Sequence, residues 1–222
     1  MNPTVITARG IKKIYRLPAE DIYAVNHIDL EIRRGDYVAL MGPSGSGKTT
    51  LLDILGCMDS PTQGDLTVLG HDVSGKKEGR LVHVRRGNIG FVFQDFLLIP
   101  TLTALENVEM PLYFARKPIE REKCVGILKK VGLGHRIDHL PKQMSGGEKQ
   151  RVAIARALVA SPAILIADEP TGNLDSKNSQ EIFEVLRKLN DEGLTIIVAT
   201  HDEQLGKQAQ RVIHLTDGKI TN

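Results

Sequence analysis

Gly42-Pro43-Ser44-Gly45-Ser46-Gly47-Lys48-Thr49 fits the pattern G-x-x-x-x-G-K-[ST], whose physical content is a loop that cradles phosphate. Its glycines let the backbone turn tightly enough for successive N–H groups to point at phosphate oxygens. Lys48 adds a positive charge toward the β- and γ-phosphates. The Thr49 hydroxyl can complete the shell of a magnesium ion that otherwise keeps water and phosphate. Asp36 to Met41 (DYVALM) reads as a buried strand, and Thr49 to Leu55, with Thr50 in its first turn, reads as a helix. The loop therefore lies between a strand end and a helix N-terminus, a place that favours anions. A Gly/Ser-rich turn with an exposed lysine would share the composition but not this setting.

Three further segments repeat the pattern of an apolar, β-rich run closed by a residue that handles phosphate, metal or water. They are Ile89 to Phe93 before Gln94, Ile164 to Ala167 before Asp168-Glu169, and Ile196 to Thr200 before His201. Continuous rather than alternating hydrophobicity marks strands buried on both faces, as in parallel sheets covered by helices. In open α/β sheets, ligands bind beyond the carboxyl ends of the strands. A carboxylate directly after four apolar residues is costly to bury without a cation or hydrogen-bond partner. Downstream of a phosphate loop, Asp168 is expected to order magnesium and Glu169 to polarise the attacking water. A helix cap before Pro170 is the competing reading of that pair. His201, at the end of its strand, is the expected γ-phosphate contact.

With 222 residues and 41% apolar content the chain can bury one sizeable core and a subdomain. A net charge of +2 gives no global reason to expect nucleic acid or an anionic membrane. The basic cluster Lys76-Lys77-Glu78-Gly79-Arg80 with Arg85-Arg86 reads as a solvated loop face. Cys57 and Cys124 form no metal or redox motif, which suits a reducing compartment. His135 and His139 stand four apart, but nothing nearby completes a zinc site. No apolar run approaches a membrane span and the polar start lacks a signal-peptide core, so the expected place is the cytosol. If the chain serves a membrane process, another polypeptide must supply the membrane part.

Ser145-Gly146-Gly147-Glu148-Lys149-Gln150-Arg151, followed by the helical run from Val152, supplies a second helix start suited to anions. Here the sequence resembles the ATP-binding cassette family, whose signature is usually LSGGQ; Met144 and Glu148 depart from it while the Ser-Gly-Gly centre is intact. The resemblance covers nearly the whole chain. It implies ATP and magnesium as ligands and ATP hydrolysis as the reaction, with residues 42 to 50 on the nucleotide and Lys48 also catalytic. It further implies that Tyr15 stacks on adenine with Val25 beside it, and that Gln94 is the Q-loop glutamine, touching nucleotide and metal. Asp168 and Glu169 look like the Walker B pair, Asn173-Leu174-Asp175 like the D-loop, and His201 like the switch histidine. Ser145, Gly146, Gly147 and Glu148 would meet the nucleotide of a second copy, together with Asp175.

The resemblance implies a single nucleotide-binding domain over 1–222. Its expected fold is an α/β phosphate-loop core with a mostly parallel sheet, an N-terminal antiparallel β region over about 1–35, and a helical subdomain inserted over about 98–160. Ile127, Leu128, Val131 and Leu133 carry helical periodicity in that insertion, and Ile182, Val185, Leu186 and Leu189 mark another helical face. The closing segment around Thr216-Asp217 reads as a hairpin. One phosphate loop and one signature per chain imply an ATP-dependent, head-to-tail homodimer with two composite sites. Asp53 to Asp59, Thr103 to Val108 with Met110-Pro111-Leu112, and Pro170 to Ser176 resemble the ATPases of lipoprotein-release and macrolide-export systems. That implies an integral-membrane permease as partner, with the chain held peripherally on the cytoplasmic face. Cell-division ATPases are near neighbours in sequence, and soluble cassette proteins acting on DNA or ribosomes are the other class; these carry coiled coils or fused cassettes, which are not seen here. A GTPase switch would need a base-reading Asn-Lys-x-Asp, which is missing.

Overall fold

Alternation of buried and exposed residues shapes the first strands. In the computed structural model, which describes residues 2–18 and 20–221, β1 (Thr4–Arg16) and β2 (Asp21–Arg33) form an antiparallel pair. β2 alternates along its second half, with Ile28, Leu30 and Ile32 inward. β4 (Gln63–Val68) joins the other edge of β1, and β5 (His71–Asp72) joins β4, giving the order β2-β1-β4-β5. These strands belong to the first of two compact units, which comprises residues up to Arg85 and from Thr195 on.

The same unit holds the strands that read as continuously apolar. β3 (Tyr37–Met41) lies parallel to β8 (Thr195–Thr200) on one side and to β9 (Arg211–Thr216) on the other. β10 (Lys219–Thr221) closes a hairpin antiparallel to β9, as expected from sequence. All six residues of β8 and the first four of β3 are buried. Helix α1 (Lys48–Leu55) packs on β8, and the short helix α7 (Glu203–Gln208) packs on β3 and β8. Helix α2 (Glu78–Arg85) ends the unit's first segment, its Arg85 bound to the Cys57 carbonyl and to Glu78.

The second unit, residues 86–194, is organised about one helix. Helix α5 (Gly146–Leu158) packs against α3 (Ala104–Ala115), α4 (Arg121–Lys130), α6 (Ser176–Asp191) and strand β6 (Ile89–Val92). β6 is parallel to β7 (Ile164–Asp168). Small side chains let α5 come close: a Cβ on Gly90 of β6 would lie 2.6 Å from the carbonyl oxygen of Ala157. α3 opens with a full capping box between Thr103 and Glu106. Buried Asn107 accepts from the Ile99 N–H and donates to the carbonyls of Ile99, Leu102 and Thr103, fixing the loop before α3.

The expected helical insertion over about 98–160 falls within the second unit, which also holds β6, β7 and α6. The periodicity through Val131 and Leu133 outlasts its helix: α4 ends at Lys130, Gly132 takes a φ of 79°, and both residues are buried beyond the turn. Burial, not helix, set that pattern.

The β6–α5 approach generates a paired test. Gly90→Ala should destabilise the protein by about 1–3 kcal/mol, the usual cost of overpacking. Gly126→Ala, inside α4 with nothing within 4 Å of the added carbon, should stabilise it by about 0.5–1 kcal/mol. Urea midpoints of the two variants measure both. A Gly90→Ala midpoint equal to the parent's would contradict the contact.

Candidate functional site

The phosphate loop leaves β3 and re-enters regular structure at α1. Gly42, Gly45 and Gly47 have φ of 154°, 79° and 98°, and Gly47 caps α1 in the left-handed region. Two of these glycines have a second reason to lack a side chain. A Cβ on Gly42 would lie 2.1 Å from the Leu215 carbonyl oxygen, and one on Gly47 would lie 2.1 Å from that of Ala24. The loop is thus wedged between β2 and the terminal hairpin. The Gly218 N–H donates to the Ser46 carbonyl (3.0 Å), and the Asn26 N–H donates to the Gly218 carbonyl (2.7 Å).

Lys48 is the charged centre of this loop. It is 8% exposed, and its ammonium donates to the Gly42 and Pro43 carbonyls at 2.8 and 3.0 Å. Ser46 is buried and its Oγ has no hydrogen-bond partner. Pro43, Ser44, Gly45 and Thr49 are exposed, and Thr50 is half-buried. α1 has no side-chain cap and no acidic residue in its first turn, so its leading N–H groups and its dipole favour an anion. Met41 pairs with Thr200 across β3 and β8, which places Gly42 and exposed His201 at the ends of adjacent parallel strands. Asp202 caps α7 directly after His201.

Tyr15 lies on β1, 44% exposed, with the Lys13 ammonium 5.5 Å from its ring centroid. Lys13 is itself paired with Asp59 at 2.6 Å. Val25, expected beside Tyr15, pairs with Lys13 and is fully buried. It builds the core and has no surface to offer a base; the adenine expectation therefore rests on Tyr15.

In the second unit, Val92 pairs with Ala167 across β6 and β7, so Gln94 and the Asp168-Glu169 pair leave adjacent parallel strands at the same level. Gln94 is exposed and donates to the Asn173 Oδ1 (3.2 Å), while Asn173 donates to the Gln94 carbonyl and to Asp95. Gly172 makes room for this pairing, since a Cβ there would be 2.9 Å from the Gln94 Nε2. Asp168 and Glu169 are half-buried, and Glu169 has a φ of 45°. The cap reading of these two fails because the next helix, α6, starts at Ser176, where Asp175 accepts from the Asn178 N–H and side-chain amide. Those hydrogen bonds hold the Asp175 carboxyl below its usual range.

Ser145 caps α5 through a reciprocal box: the Glu148 N–H donates to its Oγ at 3.2 Å, and its own N–H donates to Glu148 Oε2 at 2.8 Å. Arg136 donates to the other Glu148 oxygen at 2.7 Å. Burial pushes the Glu148 carboxyl up, but the Ser145 and Arg136 hydrogen bonds prevail and it stays below its ordinary value. Glu148 was expected on a nucleotide; its carboxylate instead serves the cap. Gly147 is buried against Asn178, whose Oδ1 would be 2.0 Å from a Cβ there.

Hard oxygens suit magnesium, and each unit by itself offers such a donor, the Thr49 hydroxyl in the first and the Asp168 carboxylate in the second. Among the described residues no group of three His, Cys, Asp or Glu could hold a metal; the His139 ring faces Arg136 instead. Sequence reading assigned no role to Gln150 or Arg156, both on α5. Arg156 donates to the carbonyls of Phe96 and Leu97, two consecutive residues with φ of 60° and 48°, and burial lowers its pKa. Polar side chains on the core face of a helix are the signal that could have found both.

These features have close counterparts. A family model described as ABC transporter matches residues 25–172. The macrolide export ATP-binding/permease protein MacB of Bdellovibrio bacteriovorus is 48% identical over 216 residues, 97% of this chain but 33% of that protein. The ABC transporter ATP-binding protein YvrO of Bacillus subtilis is 46% identical, covering 97% of this chain and 95% of its own. The chain spans about a third of the MacB-type relatives and nearly the whole of the YvrO type. Among solved structures, the dimeric cassette MJ0796 superposes with a TM-score of 0.90 at 44% identity, covering 98% of this chain and 97% of that one. A second structure of MJ0796, described as a post-hydrolysis state bound to ADP and Pi, gives the same TM-score. With more than half of its length matched by the family model and relatives aligned from end to end, this chain belongs to the ABC transporter family, as one of its ATPase cassettes.

Proposed function

We propose that this cassette hydrolyses ATP as an ATP-bridged homodimer and drives a separate membrane permease of the macrolide-export or lipoprotein-release type. The observation that carries the nucleotide half is buried Lys48 at the head of α1, an uncapped helix start with its cation already drawn in by loop carbonyls. Triphosphate oxygens would compete for that ammonium and for the loop N–H groups. Tyr15 would stack on adenine. Thr49, Gln94 and Asp168 would hold magnesium, which when bound supplies charge neutralisation to the phosphates. Glu169 would orient and polarise the attacking water, and His201 would hold the γ-phosphate side.

The dimer follows from the count of motifs: one phosphate loop and one signature per chain. Ser145, Gly146 and Gly147 would face the nucleotide of the second copy, as a helix N-terminus suits phosphate. The dimeric state of MJ0796 supports this arrangement. The permease half is supported by the name of the MacB relatives, which joins ATP-binding and permease in one protein. No helix among the described residues is long and apolar enough to cross a membrane. The membrane-spanning part would be a permease of the kind named in those relatives, with this cassette on its cytoplasmic face.

Glu169→Gln keeps size and hydrogen bonding while removing the carboxylate. ATP binding should persist, hydrolysis should fall by about 10²–10⁴-fold, and a dimer should accumulate with ATP and dissolve without it. Light scattering after size exclusion reads the dimer; hydrolysis at the parental rate would remove Glu169 from its role. Ser145→Arg and Lys48→Ala should each be inactive alone. Mixed, they form some dimers with one site intact in both halves, so partial recovery of turnover is expected, and turnover by Ser145→Arg alone would refute composite sites. Affinity purification from detergent-solubilised membranes should recover an integral membrane protein in fixed ratio with this chain, and its presence should alter the ATPase rate. A cassette whose turnover no membrane component changes would overturn the transport reading.

A further inference from the structure

Five residues beyond the cap of α5, Gln150 is fully buried, and its amide nitrogen donates to two carbonyls on two separate stretches. The Pro170 oxygen lies at 2.7 Å and the Phe93 oxygen at 3.3 Å. Phe93 immediately precedes Gln94, and Pro170 immediately follows Glu169. Since both neighbours are acceptors, the nitrogen has to face them, and the amide oxygen is left buried with no hydrogen-bond partner. An unpartnered buried acceptor is a standing cost that an apolar side chain of the same size would not carry. Packing alone therefore does not account for an amide here.

The backbone that Gln150 holds is strained. Glu169 has a φ of 45° and precedes a proline, two conditions that ordinary residues avoid in combination. Its turn is closed by the Gly172 N–H donating to the Glu169 carbonyl at 3.0 Å. On the other stretch, the left-handed residues Phe96 and Leu97 follow Gln94 and are tied to the same helix by Arg156. Such conformations persist only where the surroundings over-determine them. We propose that Gln150 is a positioning residue for ATP hydrolysis: by gripping the Phe93 and Pro170 carbonyls it sets Gln94 and Glu169 in place relative to the helix headed by Ser145. The inference rests on Glu169 and Gln94 acting on nucleotide as proposed above.

Gln150→Leu removes both donors and the orphaned oxygen at nearly the same volume. The folded variant should keep the parental urea midpoint or exceed it, and should bind ATP with parental affinity. Its kcat should fall by about ten- to a hundredfold at little-changed KM, the scale expected when reacting groups are misplaced by about an ångström. Gln150→Met, unbranched and without a donor, is the second variant should leucine not pack. The deciding measurement is a double-mutant cycle: in a Glu169→Gln background, Gln150→Leu should lower residual hydrolysis by a clearly smaller factor than in the parent, because one of the two groups it positions is already gone. An equal fold-loss in both backgrounds would mark a general structural defect and overturn the inference, as would parental kcat in the folded single variants. Parental hydrolysis by Glu169→Gln alone would instead overturn the assignment of the glutamate, and this inference with it.

Discussion

A buried ammonium must be paired, and the way Lys48 is paired governs how the first unit is built. With almost no exposure it cannot rely on water, so it turns to the Gly42 and Pro43 carbonyls of its own loop. That requires the loop to curl over the head of α1, which only residues free to take positive φ permit. The curled loop then has to be held in shape by something outside itself. Ala24 on one side and Leu215 with Gly218 on the other press against it so closely that no Cβ fits at Gly42 or Gly47. The terminal hairpin is thus part of the wall around the phosphate loop.

The second unit meets the opposite problem, since the polar groups at its strand ends are carboxylates and an amide rather than a cation. Asp168, Glu169 and Gln94 leave two adjacent parallel strands whose interiors are apolar. Their backbone beyond the strand ends is irregular, with Phe96, Leu97 and Glu169 all in the left-handed region. Irregular backbone near a core must find hydrogen-bond partners, and α5 provides them through Gln150 and Arg156. One helix therefore presents Ser145 at its tip and braces the stretches after β6 and β7 along its flank.

Much of this was legible in the sequence because chemistry and burial left separate marks. The phosphate loop, the strand-ending residues and the Ser-Gly-Gly centre were readable as residue types at fixed spacing, the closing hairpin followed from its turn, and the antiparallel start came with the family resemblance. The burial of Val25 was not legible, since a valine beside an aromatic reads the same whether it faces a base or the core. The partner of Glu148 was hidden for a similar reason: spacing put the residue in the signature, but nothing in the sequence marks Arg136, twelve residues earlier, as the donor to its carboxylate. Val131 and Leu133 mimicked helical periodicity because a turn over Gly132 returns the chain to the same core. Gln150 and Arg156 were invisible as functional groups, because their partners are main-chain carbonyls, which carry no sequence signal.

The two helix starts also differ in a way that bears on how each could treat phosphate. α1 has no side-chain cap, so no side chain competes for its leading N–H groups. α5 is fully boxed by Ser145 and Glu148, which uses the N–H groups of those two residues and leaves those of Gly146 and Gly147, which have no intrahelical acceptor. A carboxylate so near a second anion would be repulsive if it were free. Arg136 bonded to it removes most of that penalty while holding the box closed. The glutamate that departs from the family's usual glutamine is thereby made compatible with an incoming phosphate, by a cation that sits outside the signature.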